Sequence, residues 1–162
     1  MKQLILFLCM IILAGCFGKT PQKTGNEGKP MPDFTLLLTD STSLSTHDIP
    51  PGKPVVLFYF SPYCPYCEAL TLELLEEMDD LRDIRFYFVT SYGWEHLETF
   101  KKEHQLAKFP NVTIGIDTAL FIRNYFKTKG VPYTAIFNKN KILNNCFLGE
   151  ISAAQLKNVA DN

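Results

Sequence analysis

The sequence has little net charge, few histidines and no apolar run long enough to cross a bilayer as a helix. Its 16 basic and 17 acidic residues nearly cancel, which leaves a formal net charge of −1. Proteins that bind nucleic acid carry a clustered excess of Lys and Arg, so this partner class is excluded. The chain also has no repeat with a period of about 20–50 residues. What remains is 162 residues, 46% hydrophobic and 13% aromatic, which is the size and composition of one well-packed domain.

The N-terminal residues have the composition of a secretory signal. Lys2 precedes an apolar stretch from Leu4 to Ile12, which is shorter than the roughly 20 residues that span a bilayer as a helix. A basic start, a short apolar centre and small residues before a cut predict a signal peptide over residues 1–15. The four residues Leu13-Ala14-Gly15-Cys16 resemble the lipobox of bacterial lipoproteins.

The resemblance to the lipobox implies cleavage before Cys16 and acylation of the Cys16 thiol. The protein would then be tethered in the cell envelope by lipid, with its domain facing the periplasm. An ordinary signal peptide with a chance cysteine is the alternative. Residues 16–31 are rich in Gly, Lys, Thr, Pro and Asn, and such a segment cannot bury enough apolar surface to fold. They predict a flexible tether, which leaves residues 32–162 as the folded domain.

Two of the five cysteines form a Cys-x-x-Cys pair, Cys64 and Cys67, between a predicted strand and a predicted helix. The run Val55 to Phe60 is apolar on both faces, as in a central strand of a parallel sheet. After the pair, an apolar stripe of helical period comprises Cys67, Leu70, Leu74, Met78 and Leu81. The first thiol therefore lies at a helix N-terminus, where unpaired N–H groups and the dipole favour the reactive thiolate. This context predicts a redox-active disulfide, in a compartment that permits disulfides.

The rest of the chain alternates between strand and helix patterns. Predicted helices cover Trp94 to Leu106, Leu120 to Phe126 and Ile151 to Val159. Predicted strands are Asp33 to Leu38, a short return from Leu44 to Ile49, Ile84 to Val89, Val112 to Ile116, Thr134 to Phe137, and Ile142 to Leu148. The pattern predicts an α/β fold with a mixed central sheet flanked by helices and an antiparallel hairpin near the end. Cys146, in the last strand, is expected to be a small buried apolar residue rather than a regulatory thiol.

The stretch from Met31 to Val159 resembles the thioredoxin-fold proteins of the AhpC/TSA and TlpA-like branch. The resemblance rests on four stretches: Pro32-Asp33-Phe34, Gly52-Lys53-Pro54 with the strand to Phe60, Gly130-Val131-Pro132-Tyr133-Thr134, and Gly149 with Ala153-Ala154-Gln155-Leu156. Between the cysteines and Pro132 the chain is longer than a minimal thioredoxin. An extra strand and helix at that point are typical of this branch. The resemblance implies a thiol–disulfide oxidoreductase that exchanges disulfides with protein substrates and a redox partner protein. It implies no organic cofactor and no metal.

The resemblance also assigns roles to individual residues. It implies that Cys64 is the attacking thiolate and that Cys67 is the resolving thiol. It implies that Pro132 is cis and faces the pair, and that Val131 pairs with an extended substrate. Tyr63 and Tyr66 are candidates for an apolar docking surface, which Tyr133 and Trp94 would extend.

Two departures from the family pattern concern the proton of Cys67. Thioredoxins have a buried Asp where this chain has Phe58, and TlpA-like reductases have a Glu where it has Leu70. Both acids help to remove the proton of the resolving thiol. Their absence leaves the proton acceptor for Cys67 unassigned, with Glu68 a poor substitute if it faces solvent, and leaves the direction of electron flow open.

Three other functions compete with this interpretation. A thiol peroxidase of the AhpC/TSA type would place its cysteine in a Pro-x-x-x-Thr/Ser-x-x-Cys setting, which the residues before Cys64 lack. A copper carrier on this fold uses Cys-x-x-x-Cys with a distal His, whereas His47, His96 and His104 are expected at the surface. A binding module with an inactive pair is the third alternative.

Overall fold

The computed structural model describes residues 18–162, so the predicted signal peptide and Cys16 lie outside the described residues. Four helices follow the chain as α1 (Pro65–Glu76), α2 (Trp94–Glu103), α3 (Phe121–Phe126) and α4 (Ala153–Asp161). The seven strands are β1 (Thr35–Leu38), β2 (Ser43–Ser45), β3 (Val55–Tyr59), β4 (Arg85–Thr90), β5 (Val112–Ile116), β6 (Tyr133–Phe137) and β7 (Leu143–Leu148). Two short 3-10 helices cover Thr46–Asp48 and Leu106–Lys108.

The strands form one mixed sheet in the order β2-β1-β5-β4-β3-β6-β7. Strands β3, β4 and β5 are parallel neighbours, whereas β6 pairs antiparallel with both β3 and β7. Strand β5 and helix α3 lie between α2 and Pro132, and β5 also pairs antiparallel with β1. The sequence prediction of a mixed α/β sheet with an inserted strand and helix is therefore confirmed.

Strand β3 lies in the interior of the sheet, between β4 and β6, and all five of its residues are hydrophobic and buried. Val56 and Phe58 face the core that contains Cys67, while Val55, Leu57 and Tyr59 face a second core on the opposite side of the sheet. Side chains alternate along a strand, so one apolar run can serve both cores. The strand ends at the edge of the sheet where the cysteine pair begins.

Helix α1 ends at Glu76, earlier than the apolar stripe suggested. Met78 and Leu81 are buried as predicted, but they lie in irregular turns beyond the helix. Asp79 and Asp80 lie in the same turns, so they are not in the last helical turn, where the dipole disfavours negative charge.

Two other elements also end earlier than predicted. Helix α2 stops at Glu103 rather than Leu106, because Gln105 adopts a left-handed conformation with φ of 50°. The return strand from Leu44 ends at Ser45, whose side chain accepts a hydrogen bond from the His47 amide and starts a 3-10 helix.

The described part of the predicted tether is ordered along the sheet, which corrects the expectation of a flexible segment. Gln22 forms an antiparallel bridge with Cys146, and Pro30 forms one with Ile142. The amide of Gly28 donates to Leu143 O at 2.8 Å, and the amide of Gln22 donates to Cys146 O at 2.7 Å. We call this segment, residues 19–31, the N-terminal strap. Its composition predicts little apolar burial, but backbone hydrogen bonds hold it to the edge strand β7.

None of the helices between residues 18 and 162 is long and apolar enough to span a membrane.

Candidate active site

The backbone around Cys64 positions its thiol at the start of α1. Cys64 is the N-cap residue, with extended backbone angles, and Pro65 occupies the first helical turn. The carbonyl oxygen of Cys64 accepts hydrogen bonds from the amides of Cys67 at 2.9 Å and Glu68 at 3.0 Å. The amide of Cys64 donates to Ser61 O at 3.1 Å. Because Pro65 has no N–H, its ring starts the helix without losing a hydrogen bond. The half-buried Cys64 thiol therefore lies at the positive end of the helix dipole.

The loop that contains Pro132 lies against this thiol. The Val131–Pro132 peptide bond is cis, and the Sγ atom of Cys64 lies 3.7 Å from Val131 O as a hydrogen-bond donor. The amide of Gly149 donates to Pro132 O at 2.8 Å, which fixes the loop to the end of β7. The Val131 N–H donates to no acceptor within residues 18–162. A polar backbone group beside the thiol is therefore available to an extended partner chain.

Cys67 is fully buried one turn after Cys64 and, like Cys64, is an unpaired thiol. Burial raises the pKa of the Cys67 thiol far above its ordinary value, and a hydrogen bond from the Ser61 backbone opposes this only in part. Phe58 and Leu70 belong to the apolar core that surrounds Cys67. At neutral pH the Cys67 thiol therefore keeps its proton, and neither Phe58 nor Leu70 offers an acid that could accept it.

An aromatic cluster stands beside the pair. Tyr63 and Tyr66 are each 63% exposed. The Tyr63 hydroxyl lies 2.6 Å from His96 Nδ1, and its ring meets that of Tyr92 edge-on at a centroid distance of 5.4 Å. The sequence pattern did not identify Tyr92 and His96. Both follow strand β4, and the carboxyl ends of parallel strands β3 and β4 meet at one edge of the sheet, so topology was the signal that could have found them.

The AhpC/TSA family model matches residues 28–145, which is most of the chain. The chain belongs to the AhpC/TSA family. No curated protein sequence shows significant similarity to it.

Solved structures of similar fold include several disulfide oxidoreductases. One is dsbF of MTB, with a TM-score of 0.66, 19% identity, and coverage of 78% of this chain and 92% of that one. A secreted disulfide oxidoreductase of Mycobacterium tuberculosis, homologous to E. coli DsbE, has a TM-score of 0.63 and 19% identity over 80% of this chain and 96% of its own. StoA from Bacillus subtilis has a TM-score of 0.62 and 16% identity over 83% and 99%. At these identities the likeness establishes the thioredoxin-like fold.

Tyr133 does not join the docking surface in this AhpC/TSA family member. It is completely buried in the second core, 5.5 Å between ring centroids from Phe126, and burial raises the pKa of its hydroxyl. The residue is the first of β6, and the strand directs it into the core on the far side of the sheet from Cys67. Trp94 is half-buried and packs against the core that contains Cys67. The exposed aromatic surface thus comprises Tyr63, Tyr66 and Tyr92.

The three histidines differ in their surroundings. His47 and His96 are exposed as expected, but His104 is buried, which corrects the expectation of a surface residue. The Nδ1 atom of His104 lies 2.9 Å from Phe100 O, and Nε2 lies 3.0 Å from Glu68 Oε2. Both ring nitrogens are therefore engaged within the protein. Among residues 18–162, no three His, Cys, Asp or Glu side chains are grouped closely enough to hold a metal ion.

The remaining described cysteine, Cys146, is completely buried in β7. Burial raises the pKa of its thiol to about 12, against a smaller opposing hydrogen bond from Tyr133. It is thus a small buried residue with an unreactive thiol, as predicted.

Proposed function

We propose that this AhpC/TSA family protein is a thiol–disulfide oxidoreductase that acts on protein substrates through Cys64 and Cys67. The observation that carries the proposal is the half-buried Cys64 thiol at a helix N-terminus, 3.7 Å from the carbonyl oxygen of Val131. The partner-free N–H of Val131 and the exposed tyrosines support docking of an extended substrate against the same thiol.

The reaction written in the reducing direction has two steps. The Cys64 thiolate attacks one sulfur of a substrate disulfide, which forms a mixed disulfide and releases the other substrate sulfur as a thiolate that takes up a proton. Cys67 then loses its proton and attacks the Cys64 sulfur, which releases the second substrate thiol and leaves a Cys64–Cys67 disulfide. The substrate gains two electrons and the protein loses two. A dithiol partner protein restores the reduced pair, and in the oxidising direction every step is reversed.

Trapping of the mixed disulfide tests the assignment of the two cysteines. Cys67→Ala is expected to accumulate a covalent adduct with a disulfide-bonded protein such as insulin, detected by mass spectrometry and released by dithiothreitol. Cys64→Ser should form no adduct and should not accelerate insulin reduction by dithiothreitol. Cys146→Ala is the matched control, since it removes a buried thiol outside the site and should keep wild-type activity. Equal behaviour of wild type and Cys64→Ser would refute an active pair and leave a binding module.

The direction of electron flow is measured by equilibrating the pair with glutathione. A reduction potential of about −270 mV would make the protein a reductant, and one of about −120 mV an oxidant.

We propose a reductant or oxidant of the envelope, anchored by a lipid at Cys16. Labelling with a palmitate analogue in a bacterial host should modify the wild type and spare Cys16→Ser. Labelling of both would refute anchoring at that residue.

A thiol peroxidase is the second candidate, because the family match favours it. In a peroxidase reaction the Cys64 thiolate would attack the O–O bond of a hydroperoxide and become a sulfenic acid. An organic hydroperoxide would release an alcohol, and hydrogen peroxide would release water. Cys67 would condense with the sulfenic acid to a disulfide and release water. Peroxide consumption that is lost in Cys64→Ser would support this candidate, and consumption at the uncatalysed rate would eliminate it.

A further inference from the structure

A groove of about 280 Å³ opens beside the cysteine pair, on the side of the cis loop. Its floor and walls come from the end of β3, the residues after β4, and the segment from α3 to the cis loop. The lining residues include Ser61, Ser91, Arg123, Thr128, Lys129 and Val131. Its volume is just below the range of about 300 to 1,000 Å³ that is typical of ligand sites, so it has room for only a small part of a substrate.

The charged side chains that line the groove are all basic. Arg123 and Lys129 line it, and no carboxylate does. Within residues 18–162 neither cation forms an ion pair or donates a side-chain hydrogen bond, whereas three other basic side chains, Lys53, Lys101 and His104, pair with carboxylates. The hydroxyl groups of the groove, such as Tyr59 and Ser91 at 3.1 Å from each other, add neutral hydrogen-bonding atoms. An anionic group would be attracted there, although the net charge of the whole chain is −1.

The groove is continuous with the reacting thiol through Val131. This residue lines the groove, and its carbonyl oxygen accepts from Cys64 Sγ at 3.7 Å. Thr128 is buried and its hydroxyl donates to Gly130 O at 2.9 Å, which fixes the loop between Lys129 and the cis bond. An extended chain paired with the Val131 backbone over Cys64 would therefore continue into the groove within a few residues of its own cysteine.

We propose that Arg123 and Lys129 form a specificity subsite for substrates with a carboxylate close to the reacting cysteine. The favoured substrate is an acidic polypeptide segment. Glutathione, which carries carboxylates next to its cysteine, has the same chemistry and is a separate arm of the test. This inference rests on the proposed thiol–disulfide exchange, and it adds the substrate class.

The experiment uses three cyclic peptide disulfides of equal length, in which the residues flanking the cysteines are Glu, Gln or Lys. Reduced protein is mixed in excess with each peptide at low ionic strength, and the rate constant of reduction is measured. The acidic peptide should react about tenfold faster than the basic one, with the neutral peptide between them. The difference should shrink in 0.5 M salt, because the cations are exposed and salt screens them.

The double variant Arg123→Glu and Lys129→Glu should reverse the order of the acidic and basic peptides. Lys108→Glu with Lys139→Glu is the matched control, since it makes the same change of net charge at the opposite end of the sheet. This control should keep the wild-type order. Oxidised glutathione measured against the neutral hydroxyethyl disulfide decides whether a small thiol shares the preference of the acidic peptide.

Binding gives a readout that does not depend on exchange. An acidic peptide without cysteine should shift the amide resonances of Ser61 and Gly130 in the wild type and not in the double variant. Equal rates for all three peptides together with no shifts would overturn the subsite. If the reduced protein reduces none of the peptides and the oxidised protein oxidises none of their dithiol forms, with the shifts still present, the result would instead contradict the proposed function and keep the subsite.

Discussion

The Nε2 atom of His104 lies 3.0 Å from Glu68 Oε2, which joins the end of α2 to the first turn of α1 immediately after Cys67. The imidazole is buried and stacks on Phe100 at a centroid distance of 4.1 Å, while the Glu68 side chain is 48% exposed. Because Nδ1 also lies 2.9 Å from Phe100 O, both ring nitrogens have a polar partner within the protein. Glu68 thus has a structural partner, which explains its place on a helix face that otherwise meets solvent.

Glu68→Ala should destabilise the protein by about 1–3 kcal/mol, since it leaves a buried His104 nitrogen without an acceptor. Glu68→Gln keeps an acceptor oxygen and should cost less. Urea unfolding of the reduced proteins measures both. Glu76→Ala, which removes an exposed carboxylate from the same helix, is the control and should change the free energy of unfolding little. Equal effects of Glu68→Ala and Glu76→Ala would contradict a structural role for the pair.

The reduced protein should lose stability at alkaline pH because of two buried thiols. The pKa values of Cys67 and Cys146 are raised by burial, so their neutral forms stabilise the folded state. This stabilisation is complete below the unfolded-state pKa of about 8.5 and is lost as the pH rises above it. The loss is on the order of 1 kcal/mol per thiol at pH 9.5. Unfolding free energies at pH 7 and 9.5 measure the loss. Cys146→Ala should show about half of it, and a pH-independent stability over this range would contradict the burial argument.

The resolving step should be strongly pH-dependent. Because burial raises the pKa of Cys67 and the core around it offers Phe58 and Leu70 in place of an acid, only a small thiolate fraction attacks the mixed disulfide. Its rate should rise about tenfold per pH unit between pH 6 and 8. Protein loaded at Cys64 with a hydroxyethyl mixed disulfide at low pH is jumped to each pH, and the release of mercaptoethanol is followed. A flat profile would indicate a proton acceptor outside the groups identified around Cys67.

The exposed tyrosines should matter for protein substrates and not for small ones. Tyr63 and Tyr66 are each 63% exposed beside Cys64, and buried aromatic contacts commonly contribute more than about 1 kcal/mol to association. Tyr63→Ala with Tyr66→Ala should lower kcat/KM for insulin about tenfold and leave the rate with hydroxyethyl disulfide unchanged. Leu72→Ala removes an exposed apolar side chain from α1, the helix that also contains Tyr66, and is expected to change neither rate. A parallel loss with both substrates would assign the tyrosines to the geometry of Cys64 rather than to docking.

The parts of this molecule that could be predicted from sequence are those with a local signal. The apolar run of β3, the stripe through Cys67 and the Val131–Pro132 dipeptide each carry their pattern in a few neighbouring residues. The buried His104, the cluster of Tyr92 and His96 with Tyr63, and the cationic groove depend on segments that meet only in the folded sheet. Polar contacts of this kind leave no periodicity in the sequence. The docking of the N-terminal strap is not predictable from its residues either, because backbone hydrogen bonds are independent of side-chain type.

The strap has a consequence for the order in which the protein can fold. Lys19 and Gln155 are hydrogen-bonded although 136 positions separate them, and Gln22 bridges Cys146. During synthesis from the N-terminus, the first residues of the strap therefore have no partner until almost the entire domain has been made. Contacts so distant in sequence carry the largest loop-closure cost and form late. The strap thus stays undocked while most of the domain is synthesised, and its hydrogen bonds to β7 and α4 form only after both elements have been made.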